Sequence, residues 1–347
     1  PSLNFVFSTS AELFGDPVAG FFRNTEITGS VNASDTITLT TAGEIIFEGD
    51  FANHSGVERL VLADAASDTA AGSLVNLDAD SDTAGVQEVV FGVGRDALVF
   101  DSTVNTSFTL VGGSGNDTVA LRDNGATVAD TIFTDWTTVE VFQTRDGNND
   151  ITFGLQAQEA GIVTMVGGAN NDTFNATAYN TASVTLSGAA GDDSLLSGGG
   201  NDSISGGDGD DFLSGASPLT GGVGDGGVGN EIDTLTGGGG ADTFALADSS
   251  NPYYYGFDSG AQNYALITDF DVASLDKLQL KSGVNYVIGG ALYGVLGGAN
   301  SYLYQDFNAN AAADAGEDLI AAIKATGGLG SGGALTQADL AGIRTLV

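Results

Sequence analysis

Cysteine is absent from the 347 residues, so no disulfide can staple the fold. Histidine occurs once, at His54. No zinc-protease helix of the form H-E-x-x-H can therefore be written, and a Ser-His-Asp set would have to be built on His54 itself. That residue sits in FANHSGVERL, which reads as a loop entering a strand. Basic residues are scarce, nine Lys and Arg against 45 Asp and Glu for a formal charge of -36, and such a chain repels phosphates, which excludes nucleic acid as a partner. Arg23, Arg59, Arg95, Arg122, Arg145 and Arg344 are scattered, and Lys277, Lys281 and Lys324 all fall late. The cluster of base and neutralising cation that polysaccharide lyases and epimerases need is not assembled. No apolar run approaches the ~20 residues of a transmembrane helix. Pro1 opens the chain without an initiator Met or a basic leader, which reads as a processed terminus or a fragment boundary.

What the chain has is acid, glycine and enough apolar residues to fold. Hydrophobic residues make up 42% and Phe alone numbers 19, against the poverty in such residues of disordered acidic chains. A charge of -36 repels itself until cations neutralise it. The acid is also placed regularly. From Ser187 to Ser214 the chain reads SGAAGDDSLLSGGGNDSISGGDGDDFLS, with Asp193, Asp202 and Asp211 at nine-residue steps. Each precedes an apolar residue, Leu195, Ile204 or Leu213, that opens a short strand pointing inward. This is the G-G-x-G-x-D-x-U-x pattern of a calcium-binding parallel β-roll. Glycine lets a tight turn bring carbonyl oxygens to an ion and Asp supplies the charge, which suits a hard cation taking six or more oxygens. The donors nominated in this run are Gly191 and Asp193, Gly198, Gly200 and Asp202, then Gly207, Gly209 and Asp211. One unit is half a coil, so Asp193 and Asp211 are expected to stack on one side. A flexible Gly/Asp linker would not keep Asp and an apolar residue in phase.

With these motifs the chain resembles the RTX proteins, Gram-negative secreted proteins with calcium-filled β-rolls. GGSGNDTVA adds Gly113, Gly115 and Asp117, and GGGGADTFA adds Gly238, Gly240 and Asp242. Eroded units follow the same plan: GGANNDTFN supplies Gly168, Asn170 and Asp172, and GNEIDTLT puts Asp233 in phase after an insertion around 221 to 228. The resemblance implies an all-β fold, a right-handed parallel β-solenoid with an α+β C-terminal cap. It also implies Ca2+ as the cofactor, type I export, and an extracellular or cell-surface destination. Folding would be coupled to calcium, the chain staying open in a calcium-poor cytoplasm and closing outside. ITDFDVASLDKLQL (Ile267 to Leu280) and the segments beyond it look like the cap and export region of such proteins.

Upstream the nonapeptides loosen into longer coils. Asp96, Asp117, Asp172 and Asp193 sit in comparable turns, with steps of 21 residues from Asp96 to Asp117 and from Asp172 to Asp193. One turn per coil is expected to hold calcium there, with ordinary loops on the opposite edge. Alternating segments SFTLVGG, TVEVFQT, IVTMVGG and SVTLSGA read as strands; GSVNASDTITL looks like a degenerate unit, and SGVERLVL reads as another strand-forming segment. The expected organisation is an apolar N-terminal strand or docking segment over 1–28, a solenoid over 29–245 with its strict repeats at 188–214, and a cap over 246–347. At about 20 residues per coil and about 4.8 Å per coil, the solenoid would be a rod of roughly ten coils.

In the cap, strands are expected around Ile267, Leu278 and Tyr302 and short helices around Leu319 and Leu340. Asp306, Asn308, Asn310, Asp314 and Glu317 fall at positions 1, 3, 5, 9 and 12 of an EF-hand-like loop leading into a helix near Asp318, although Ala311 stands where the turn wants Gly. Tyr253, Tyr254 and Tyr255 stack on a sugar, fill a subunit contact or cover the cap's own core. Asp pairs could do glycosidase chemistry, but the spaced Asp residues are already explained as ligands, and no catalytic residue is assigned. The expectation is a non-enzymatic, calcium-dependent structural protein that self-associates into a filament or surface layer, with Leu3, Phe5 and Phe7 as a strand that caps the solenoid or docks on a neighbour. The alternatives are an adhesin binding cell-surface polysaccharide and the export portion of a larger hydrolase.

Overall fold

The structure, a computed structural model, describes residues 4–7, 35–39, 45–46, 55–77, 85–101, 108–179, 182–216, 231–250, 252–254, 263–289, 299–306, 318–326 and 334–347. The chain forms two compact units, Pro1–Arg145 with Leu155–Thr164, and Asp146–Gly154 with Met165–Val347. His54, Tyr255, Asn308, Asn310, Asp314 and Glu317 lie outside the described residues.

The first unit is built from short parallel strands. One sheet orders Asn4–Phe7, Thr36–Leu39, Arg59–Val61, Glu88–Val90, Thr109–Val111 and Trp136–Thr137. Facing positions come from successive coils, as in Ile37 on Leu60 and Leu60 on Val89. A second runs through Ile45–Ile46, Ala71–Asn76, Arg95–Phe100, Thr118–Leu121 and Val141–Gln143. The strands alternate buried and part-exposed residues, because side chains of period two put one face inward. Where the coils widen, aromatic rings fill the core. Phe100, Phe108, Phe133, Trp136 and Phe142 form a chain of contacts with centroids 5.2 to 6.0 Å apart, mostly edge to face, the arrangement that ring quadrupoles favour.

In the second unit the same plan tightens. Asp150–Thr152, Thr173–Asn175, Ser194–Leu196, Phe212–Ser214, Thr243–Ala245, Lys277–Leu280 and Arg344–Leu346 form one parallel sheet. Opposite run Thr185–Ala190, Ser203–Asp208, Ile232–Gly239, Tyr264–Ile267 and Asp318–Ile323, all parallel. Leu195, Ile204, Leu213, Leu235 and Phe244 are buried, each at the apolar position of its nonapeptide. This is a parallel β-solenoid, and its register continues beyond Ala245, with Lys277 opposite Thr243 and Tyr264 opposite Ile232.

The cap departs from expectation at one element. Asp318–Ile323 is a strand, not a helix. All six residues are buried, lodged between the parallel strand Tyr264–Ile267 and the antiparallel Ser301–Gln305. A strand covered on both faces loses its alternation and cannot be told from a short helix by pattern. The EF-hand-like reading thereby loses the helix it placed after its loop. The second expected helix is present at Gln337–Ile343, started by a capping box between Thr336 and Asp339, which satisfies amides at the first turn.

Candidate metal sites in the turns

Each repeat turn ends in an aspartate whose main chain enters a strand, and these aspartates stack in rows. In the second unit Asn149 N–H donates to Asp172 Oδ1 (2.9 Å), Asp172 N–H to Asp193 Oδ1 (2.6 Å), Asp193 N–H to Asp211 Oδ1 (2.8 Å), Asp211 N–H to Asp242 Oδ1 and Asp242 N–H to Asp276 Oδ1 (both 3.0 Å). A second row occupies the other edge, where Val184 N–H donates to Asp202 Oδ1 and Asp202 N–H to Asp233 Oδ1, both at 2.8 Å. The first unit holds a comparable row: Ser73 N–H to Asp96, Asp96 N–H to Asp117 Oδ1, and Asp117 N–H to Glu140 Oε2 (2.8 Å). On its other sheet Asp35 N–H donates to Glu58, so a carboxylate contact occurs there as well.

The residue before the aspartate makes a separate, outer row. Asp192 N–H donates to Asn171 Oδ1 (3.0 Å), Asp210 N–H to Asp192 Oδ1 (2.9 Å) and Ala241 N–H to Asp210 Oδ1 (2.7 Å). On the second edge Ile232 N–H donates to Asn201 Oδ1. The outer side chains reach the coil that follows, whereas the inner aspartates reach the coil that precedes.

One carboxylate oxygen per aspartate is occupied by these bonds. The other, Oδ2, is buried and meets no hydrogen-bond partner at Asp96, Asp117, Asp193, Asp202 and Asp211. A buried anion left in this state is costly unless a cation or a proton neutralises it. Space for a ligand is kept beside it by glycine. A Cβ on Gly188 would stand 2.0 Å from Asp193 Oδ2, one on Gly206 2.0 Å from Asp211 Oδ2, and one on Gly237 2.2 Å from Asp242 Oδ2. Carbonyls approach equally closely. A Cβ on Gly207 would meet Ala189 O at 2.0 Å, on Gly209 Gly191 O at 2.2 Å, on Gly238 Gly207 O at 2.0 Å and on Gly240 Gly209 O at 2.2 Å. In the first unit Gly113 and Gly115 stand against Gly92 O and Gly94 O in the same way.

These turns do not gather carboxylates: among the described residues no three His, Asp or Glu side chains cluster as a metal centre. They offer one anionic oxygen amid stacked carbonyls, a donor set of oxygen alone, which fits calcium rather than a transition metal. Burial pushes the carboxyls up, opposed by the main-chain N–H bonds and reinforced by neighbouring aspartates. Asp193 rises to about 6 and Asp211 and Asp117 to about 7. Asp202 is raised to about 6 by burial, with the Ser197 hydroxyl and Val184 N–H pulling it back. Asp96, Asp172 and Asp242 are raised as well.

Not every nominated residue has these surroundings. Gly168 donates its N–H to Asp172 Oδ2 at 3.0 Å. Asn170 takes the left-handed conformation with φ 73° and its side-chain amide donates to Ala169 O. Gly198 lies against Tyr179 O, and Gly200 has φ 116°. Asp233 Oδ2 accepts the Tyr254 hydroxyl at 2.7 Å, and burial pushes both groups well up. Asp306 is buried. The repeat spacing did not find Glu140, Asp276, Asp269 or the first glycine of each unit. Asp269 closes the last glycine turn by accepting the N–H groups of Gly237 and Gly238 at 3.0 and 2.9 Å.

A parallel roll whose turns stack open carboxylate oxygens on carbonyls defines a calcium-binding β-roll protein. The sequence matches the model of the RTX calcium-binding nonapeptide repeat in four copies, over residues 109–121, 185–217 and 225–248. These repeats are of the RTX calcium-binding type, and calcium is the cofactor they bind. No curated protein and no solved structure shows significant similarity to it. The repeat is a structural calcium-binding element carried typically by secreted proteins. Among the described residues no helix is long and apolar enough to cross a membrane.

Proposed function

We propose that this chain is a secreted structural subunit of an extracellular filament or surface layer, folded by calcium after type I export and assembled outside the cell. Calcium would sit at the open Oδ2 atoms of Asp193, Asp211 and Asp202, and of Asp96 and Asp117, completed by carbonyls of the glycine turns. Bound there it would neutralise anions that the fold buries, so that ion binding adds to folding free energy.

The observation that supports the assembly reading is a strand at the end of its sheet, with no further strand beside it among the described residues. Arg344–Leu346 ends its sheet, pairing with Lys277–Leu280, and all three residues are exposed. A row of main-chain groups at a sheet edge is a template for another strand. Asn4–Phe7 ends a sheet in the first unit, beside Thr36–Leu39, and supplies a second such edge. Strand addition between unlike surfaces does not close, so it produces filaments or lattices. A sugar-binding loop is less well supported, because Tyr254 is buried against Asp233 and cannot stack on a ring.

The test is electron microscopy and light scattering as calcium is titrated into chelated protein, with circular dichroism in parallel. A gain in β-structure and in resistance to urea, together with filaments or sheets, is the expected result; a stable folded monomer would refute the assembly. Removing Pro1 to Phe7 should leave calcium-induced β-structure intact and block polymer, and polymer that still forms would reject that strand as the docking element.

A further inference from the structure

On the second edge of the C-terminal unit the two aspartates differ at one atom. Both accept a main-chain N–H through Oδ1. Asp202 Oδ2 is buried and meets no donor at hydrogen-bond distance, the nearby Ser197 hydroxyl being given to Ser214 O at 3.4 Å. Asp233 Oδ2 takes the Tyr254 hydroxyl at 2.7 Å, in a side chain with no solvent exposure, and Tyr254 is itself 1% exposed. The phenol is delivered deliberately by its surroundings. Tyr253 N–H donates to Leu246 O at 2.9 Å, and Pro252 bridges antiparallel to Ala247, which folds this segment back onto the roll. Gly215 keeps the way clear, since a Cβ there would stand 2.6 Å from the Tyr254 hydroxyl oxygen and 2.7 Å from Asp233 Oδ2.

The first edge shows what such a bond marks. Asp193 and Asp211, inside the row, have open Oδ2 atoms. The first and last carboxylates of that row are closed by protein donors, Asp172 by Gly168 N–H and Asp276 by Asp271 N–H at 2.6 Å. Of these four carboxylates, the two with open oxygens lie within the row and the two closed ones at its ends. Asp233 stands last on the second edge, and there the closing donor is a side chain.

We propose that the Tyr254 hydroxyl ends the second calcium row, occupying on Asp233 the direction that a cation takes on Asp202. Asp202 then serves calcium on this edge and Asp233 is held by the phenol without an ion. This rests on the calcium reading of the turns. Tyr254 is a positioning residue that sets how many ions the roll holds.

The experiment uses the full chain and three variants, Asp202→Asn, Asp233→Asn and Tyr254→Phe, with bound calcium counted by native mass spectrometry and melting followed in calcium and in chelator. Asn retains the Oδ1 acceptor, so the turn ladders persist. Asp202→Asn should carry one ion fewer than the parent and Asp233→Asn the same number. Tyr254→Phe, which leaves Asp233 Oδ2 buried without a donor, should lose more stability in chelator than in saturating calcium, and adding Asp233→Asn to it should narrow that gap again. Loss of an ion in Asp233→Asn overturns the proposal, as does an equal loss of stability by Tyr254→Phe in both conditions. If Asp202→Asn keeps the parental count, the calcium row on this edge fails and the proposal falls with it. Should Tyr254→Phe not fold, the ion count of Asp233→Asn decides alone.

Discussion

Replacing Asp211 by Asn should change stability in opposite directions with and without calcium. The amide oxygen still accepts the Asp193 N–H now made at 2.8 Å, so the row survives. What disappears is a charge at Oδ2, an atom with no partner. Burial, together with the carboxylates of Asp193, Asp242 and Asp192, pushes Asp211 up from 3.8 to about 7. At about 1.4 kcal/mol for each tenfold, the ionised form costs roughly 4 kcal/mol near neutral pH, and halving this for water at an edge turn leaves about 2 kcal/mol. In chelator the variant should be more stable by that order. In calcium it forfeits one anionic ligand, which lowers affinity by an order of magnitude or two, about 1.4 to 2.7 kcal/mol. Urea unfolding followed by far-ultraviolet circular dichroism, in chelator and in saturating calcium, measures both. Destabilisation in chelator would show that Oδ2 is not a buried charge awaiting a cation; stabilisation in calcium would show that no ion uses it.

The same carboxyls give the ion-free protein an inverted pH dependence. Asp193 and Asp202 at about 6 and Asp211 and Asp117 at about 7 lie above their ordinary value, so the folded state binds more protons than the unfolded one. Their contribution is complete below about pH 4 and is lost as pH rises through about 6 to 7; in chelator the melting temperature should be higher near pH 5 than near pH 7.5, and in calcium protons compete with the ion and the order reverses. Ala189 holds φ 81° where the strict repeat has glycine. A left-handed L-residue costs roughly 1 to 2 kcal/mol, and glycine returns about 0.5 to 1 kcal/mol of it as unfolded-chain entropy. Ala189→Gly should therefore raise the unfolding free energy measured in urea by about 0.5 to 1 kcal/mol, and a lower value would deny that the position is strained.

The roll could be read from the chain because its turns and strands are specified by adjacent residues. Glycines at fixed offsets from Asp193, Asp202 and Asp211 encode the turn locally, and Leu195, Ile204 and Leu213 encode the buried face. The longer coils remained legible through Asp96 and Asp117, which keep their place before a strand. Glu140 was hidden because its extra methylene does the reaching, so neither aspartate nor glycine marks the turn. Asp276 was hidden because it continues the row from a segment, ITDFDVASLDKLQL, that carries no glycine. Tyr254 belongs to the row through space alone, 21 residues from the aspartate it touches. Asp318–Ile323 misled because complete burial removes the alternation that separates strand from helix.

Inner and outer side chains of one turn bind in opposite directions along the stack, Asp193 accepting from Asp172 N–H behind it and Asp192 from Asp210 N–H ahead. Both bonds look the same from any coil of the strict run. Asp211 lies 18 residues from Asp193, so removing 193–210 would bring Asp211 directly after Asp192, and a duplicated 18-residue block would extend both rows without a mismatch. Coil number is therefore a quantity that this architecture leaves free, and roll length can change by gain or loss of whole turns while every bond type is kept.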